Sequence, residues 1–236
     1  MTDDARSDGS AVHDDLVEML TVTRSAENDL FNALAVTERE APGRIGEWSA
    51  KDVRAHLAAW RTIEVHRLAG EPDGTNLDDT DDSANARIQA ERAGWSWERV
   101  TTDADASVDA LAAAIRATSL DDLARTEGLF DGITSTSVNH ALGHLGEIAE
   151  LSGSGARYKA FLAEVEAIVG RGRIPQRDTG VLRYNLACFR ALDGDLAGAR
   201  TLLRAAFAAR PDMVEFATGD PDLADLRDEL GELSAG

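Results

Sequence analysis

The chain reads as an all-α protein, and three observations say so. Apolar residues recur at helical spacing along most of its 236 residues, no stretch carries a strand's period of two, and glycine, proline and capping residues cut the pattern into helix-length pieces.

Taken in order, residues 1–10 have no apolar periodicity and are expected to be a disordered tail. Val12, Leu16, Met19, Leu20, Leu30 and Leu34 predict a first helix to about residue 39, stopped by Pro42 and Gly43. Ser49 is a helix cap and Asp52 can reach back to it as a capping box. Val53, His56, Leu57, Trp60 and Ile63 then share one face of a second helix, which Gly70 ends. Residues 71–83 are an acidic loop; its aspartates lack the glycine and terminal glutamate of an EF-hand, so it reads as solvated. A third helical region covers 84–118, interrupted near Gly94, with Val108, Leu111, Ala112 and Ile115 on one side. Ser119 to Asp122 forms another cap before a loop to about 133. The fourth helix spans about 134–151, striped by Val138, Leu142, Leu145 and Ile148. Four such helices predict a four-helix bundle over residues 11–152.

Ser152–Gly155 reads as a linker to a second helical unit over 156–236, with segments at 156–170, 180–193, 196–209 and 221–230. Residues 180–213 resemble a single tetratricopeptide repeat. Leu186 and Ala187 occupy its small–large pair, Gly194 makes the turn, Ala199, Leu203 and Ala206 line the second helix, and Pro211 closes it. Arg190 stands where the repeat usually has an aromatic residue. One repeat cannot build a peptide groove, so this small helical-hairpin domain is expected to pack on neighbouring helices. Cys188, the only cysteine, reads as a packing residue of that hairpin.

Net charge is −19, from 43 acidic and 24 basic side chains, which repels phosphate backbones and anionic membranes alike. No run of apolar residues is long enough to span a bilayer, and the acidic start is unlike a signal peptide, so a cytoplasmic location is expected. No P-loop, GxSxG or CxxC pattern is present, which leaves phosphoryl transfer and serine hydrolysis without support.

The histidines are few and informatively placed. His140 and His144, four residues apart, put two imidazoles on one helical face, where they can bind one metal ion. His56 lies mid-face on the second helix, between Val53 and Trp60, where a neutral ring needs a partner. A satisfied core hydrogen bond is the plainer explanation of such a residue taken alone. Neighbouring second and fourth helices would instead bring it to the pair and leave a coordination position open. His140 and His144 fall at the flank of the Val138–Leu145 stripe, which suits a site near the rim. Glu147, three residues past His144, is either a solvated glutamate or a general base. His13 and His66 read as surface residues, Trp60 as core, and Asp52 as a cap.

The stretch EWSAKDVRAHLAAW (47–60) resembles the second-helix signature of the DinB-like superfamily, and NHALGHLGEIAE (139–150) resembles its fourth-helix signature. The intervening NARIQAERAGWSWERV (85–100) is most similar to the ClbS/DfsB branch. The resemblance covers about residues 10–151. It implies a divalent metal on His56, His140 and His144, zinc or nickel first, with iron and manganese also compatible with imidazole. It further implies a metal-dependent transferase or hydrolase that acts on a small electrophile in detoxification or stress response. A low-molecular-weight thiol such as mycothiol or bacillithiol is a candidate cosubstrate. The alternative is a non-catalytic ligand-binding or protein-interaction scaffold, and a homodimer or a protein partner for the C-terminal unit stays open.

One expectation is testable from charge alone. Micromolar protein at physiological salt should leave duplex DNA unshifted in a mobility assay, because −19 charges face the phosphates; a retarded band would overturn that.

Overall fold

The computed structural model describes residues 3–43, 48–71, 81–125 and 129–234; these are predominantly helical, with no β-strand among them. None of their helices is long and apolar enough to cross a membrane. Most of the acidic loop, and Glu47 of the first signature, lie outside the described residues. The chain divides into two compact units, Met1–Ala163 and Glu164–Gly236.

The first unit opens with α1 (Asp3–Ala33) and a single turn, α2 (Val36–Arg39). Residues 3–10, expected to be disordered, carry helical backbone, because extending an existing helix costs far less than starting one. The first helix also stops at Ala33 and not near residue 39. Ala35 is extended, and its amide donates to the Glu38 carboxylate (3.4 Å), which starts α2 afresh. Next come α3 (Ala50–Ala69), α4 (Asp81–Arg92) and α5 (Trp97–Ala117), with the break at Gly94 as expected. The segment expected to be a loop before residue 133 holds α6 (Leu120–Arg125) and the start of α7 (Leu129–Thr134). Ser119 caps α6 by accepting from the Asp122 amide. One π-helical turn (Ser135–Asn139) joins α7 to α8 (His140–Ser152).

α3 packs most extensively on α5 and also meets α4, α7, the π-turn and α8; α1 lies against α5, the π-turn and α8. Leu16, Leu20, Leu30, Leu57, Leu111, Ile115, Leu142 and Leu145 are all buried between these helices. The Ser152–Gly155 run is a tight turn. Gly153 adopts φ 66° at the end of α8, a left-handed conformation that suits glycine, and α9 (Gly155–Gly170) starts at once. Tyr158 on α9 donates its hydroxyl to the Leu142 carbonyl (2.8 Å) and lies against Gly146, so the division between units falls inside α9, beyond the expected linker.

Eleven of the twenty α3 residues are buried, and four of them are polar: Arg54, His56, Arg61 and Glu64. Each needs an interior partner, since a buried polar group without one costs several kcal/mol. Arg61 forms a buried two-armed ion pair with Glu27 of α1. Arg54 donates to Asn28 and Thr101 and lies over the Phe31 and Trp97 rings. Glu64 packs on α7, where a Cβ on Gly132 would come within 2.6 Å of its carboxylate.

The second unit contains the end of α9, a 3₁₀ turn (Gln176–Thr179), α10 (Gly180–Leu192) and α11 (Leu196–Ala209). α10 packs on α11 across a turn at Gly194, whose φ of 82° again suits glycine. Asp195 caps α11 through the Gly198 amide. Arg190, at the position noted above, pairs with Glu166 and Asp195. Beyond it lie α12 (Met213–Gly219), which carries no signal strong enough to be expected, a 3₁₀ segment (Pro221–Glu229) and α13 (Leu230–Ser234). Asp220 ties this end to α10. Its carboxylate accepts from Tyr184 (2.5 Å) and from the buried Cys188 thiol (3.7 Å), and caps the Asp222 amide.

Glu27 pairs with the buried Arg61, and that makes a prediction. Glu27→Ala should lower unfolding stability by about 3–5 kcal/mol, since it leaves Arg61 charged and unpaired. Glu27→Leu/Arg61→Met should recover most of it in urea titration. A double variant as weak as the single one would refute this account.

Candidate metal centre

The site begins at the start of α3. Ser49 accepts from the Asp52 amide (3.2 Å), while the Asp52 carboxylate accepts from the Ser49 amide (2.9 Å) and hydroxyl (2.6 Å). This closed box fixes the first turn and sets His56 one turn further along, on the buried side. Asp52 is thereby engaged as a cap.

The π-turn does the corresponding work on the opposite wall. Its wider backbone ring shifts the helical phase between Val138 and His140. Val138, Leu142 and Leu145 remain in the core while His140 and His144 stand half-buried beside it. Within the regular α8, His140 and His144 stand two and one residues from Leu142 and Leu145, so their flank position follows from α-helical spacing itself.

His56, His140 and His144 converge. A set of their ring nitrogens lies mutually within 4.8 Å, and the Nε2 atoms of His56 and His140 are 2.7 Å apart. Ring centroids are separated by 4.6 Å (His56–His140), 5.3 Å (His56–His144) and 5.4 Å (His140–His144). Trp48 stacks on His144 and meets the edge of His56, while Trp60 meets the edges of His56 and His140. Two indoles thus wall the cluster.

Burial removes the protons. Desolvation, then the neighbouring histidines, push His56 down to about 2 and His140 down to about 4. Both rings are neutral at pH 7 and present lone pairs, the form a metal requires. Glu147 Oε2 lies 3.2 Å from His144 Nδ1, a contact that orients the ring and leaves Nε2 available to an ion. Tetrahedral zinc with bonds of about 2.0–2.1 Å separates its ligand nitrogens by roughly 3.4 Å, so the His56–His140 pair opens by less than an ångström to admit it. The donor set therefore fits one borderline divalent ion.

A second grouping, Cys188, Asp220 and Asp222, also comes close enough for an ion. Its chemistry does not fit. Burial and the two carboxylates drive the thiol well above its usual range, and Asp220 is already occupied by Tyr184 and a backbone amide.

Beside His140 opens a pocket of about 430 Å³. Trp60 and Arg67 line it from α3, Asn85 from α4, and Ser135, Thr136 and Asn139 from the π-turn. The Trp60 indole donates to Asn85 (3.1 Å), which braces that wall. Trp60, expected to be core, thus serves both the cluster and the pocket. Arg67, Asn85 and the π-turn were not legible in the sequence, which carries no periodic or spacing signal for a widened turn. The remaining histidines lie elsewhere. His66 is exposed beside Glu71. His13, expected at the surface, is partly buried and donates through Nε2 to the Thr118 carbonyl (2.9 Å), because α1 continues past it.

The neutral histidines set a pH dependence for the metal-free protein. Unfolded histidine titrates near 6.5, above both folded values, so the unfolded chain binds more protons below that pH. Stability is therefore full above about pH 6.5 and falls as pH drops toward 4, by at most about 1.4 kcal/mol per pH unit for each ring. Urea midpoints from pH 7.5 to 4.5 should show the loss, and His56→Gln/His140→Gln should flatten it. An equal slope in that variant would assign the loss to other groups.

Models of known protein families, curated proteins and solved structures give no match to this chain, so the geometry of the three imidazoles carries the functional reading.

Proposed function

We propose that the chain is a metal-dependent transferase or hydrolase of the DinB-like type, with one divalent ion held by His56, His140 and His144. The observation that carries this is the convergence of three imidazoles from two helices, two of them stripped of protons by burial, beside an open pocket. The side-by-side packing of α1, α3, α5 and α8 supports a four-helix bundle in which the second and fourth long helices supply the ligands. The α10–α11 hairpin supports the repeat-like reading of the second unit.

A bound divalent ion lowers the pKa of a water or thiol in its open position and so makes a nucleophile available at neutral pH. Each residue has a task around it. His56 would supply a neutral nitrogen from the buried side, and His140 and His144 would supply theirs from the half-buried rim. Glu147 holds His144 by its far nitrogen and so acts as a positioning residue for that ring. Trp48 and Trp60 exclude water from the flanks. Substrate enters from the side of His140, where the pocket opens. Zinc and nickel suit the imidazole set best, iron and manganese also bind it, and a small electrophile with a low-molecular-weight thiol is the expected substrate pair.

Elemental analysis of the purified protein should find about one divalent metal per chain. His56→Ala and His140→Ala should lose most of it and remain helical. His66→Ala should keep it, and His13→Ala should keep it while losing about 1 kcal/mol with its hydrogen bond. A wild-type chain that takes up no zinc, nickel, iron or manganese on dialysis would reduce the cluster to hydrogen-bonded histidines and leave a non-catalytic binding protein.

A further inference from the structure

We propose that the pocket beside His140 takes a ligand with an anionic end, and that Arg67 is the residue that selects it. This deepens the metal-centre reading and rests on it.

The argument starts from helix geometry. His56, Trp60 and Arg67 follow one another at spacings of four and seven residues, so they share one face of α3. Trp60, Arg67 and His140 all line the pocket. Eleven residues separate His56 from Arg67, a rise of about 16 Å. Side chains on a helix lean toward its N-terminus, which brings the guanidinium to within on the order of 10 Å of the imidazoles. Its position agrees with that lean: Nη1 lies 3.7 Å from the Glu64 carboxylate, one turn earlier. The pocket is thus a trough with a metal-binding end and a guanidinium end.

Two acids bear on the choice of sign. Glu64 is buried and faces the α7 backbone at Gly132, beneath the trough. Asp131 lines the trough itself. Against them stand Arg67 and, in the metal-loaded protein, the two positive charges of a divalent ion on neutral imidazoles, so positive charge would outweigh the two acids once the ion is bound. A guanidinium has five donors in a planar fork that matches a carboxylate or phosphate. Asn85 and Ser135 in the same lining add hydrogen-bonding groups suited to a polar ligand body. The ligand class is therefore a polar molecule with a donor atom for the metal at one end and an anionic group at the other.

The test uses full-length protein loaded with Co²⁺, whose visible bands report the coordination shell independently of turnover. Three thiols of equal chain length serve as probes: 6-mercaptohexanoate, 6-mercaptohexanol and 6-aminohexane-1-thiol. The carboxylate form should bind about tenfold more tightly than the alcohol, equivalent to roughly 1.4 kcal/mol. Arg67→Met should abolish that preference without changing cobalt affinity or binding of the alcohol, and Arg67→Lys should keep part of it. Equal binding of all three probes, or a preference that survives Arg67→Met, overturns the proposal. Tightest binding by the aminothiol overturns it in favour of Asp131 and a cationic ligand. Absence of cobalt bands overturns the metal centre itself, which is a different result from bands that do not discriminate.

Discussion

The first unit is organised by one constraint: α3 is buried on most of its surface while carrying four polar side chains that water cannot reach. Desolvation of such groups is costly, and each must be repaid by a neighbour. Arg61 calls for Glu27 on α1, Arg54 for Asn28 and two aromatic rings, Glu64 for Arg67 one turn on, and His56 for the histidines of α8. Apolar packing alone tolerates sliding and rotation of helices. These pairings do not, so they fix α3 against α1, α5 and α8.

The candidate metal centre is one instance of that rule, with a different kind of partner. Arg61 meets an opposite charge, but His56 meets another neutral ring. Two imidazole nitrogens in contact share one proton as a hydrogen bond, and a divalent ion in its place would engage the third ring as well. The same burial that makes the cluster costly at low pH keeps it ready for a metal at neutral pH. Glu147 and the two indoles then act on orientation and on water, leaving the pocket side of His140 open.

The π-turn links fold to site. It shifts the phase of α7 and Val138 against α8, within which the histidines keep regular helical spacing with Leu142 and Leu145. Its own side chains, Ser135, Thr136 and Asn139, become part of the pocket wall.

Much was legible in the residues alone. Helical class, the Ser49–Asp52 box, the break at Gly94, the Gly194 turn and the apolar stripes all depend on interactions within a few residues, which spacing records directly. The His140–His144 pair was legible for the same reason. What the tertiary structure alone decided is non-local. Glu27 reaches Arg61 across 34 residues with no period to read, while the meeting of His56 with His140 across 84 was implied by the resemblance and is recorded by no spacing. Tyr158 moved the division between units past an inviting glycine–serine run by reaching back to α8. Short-range hydrogen bonds and apolar periodicity leave their mark in the order of residues. The pairing of buried polar groups does not, because it is settled only when packed helices exclude water and each group takes the partner within reach.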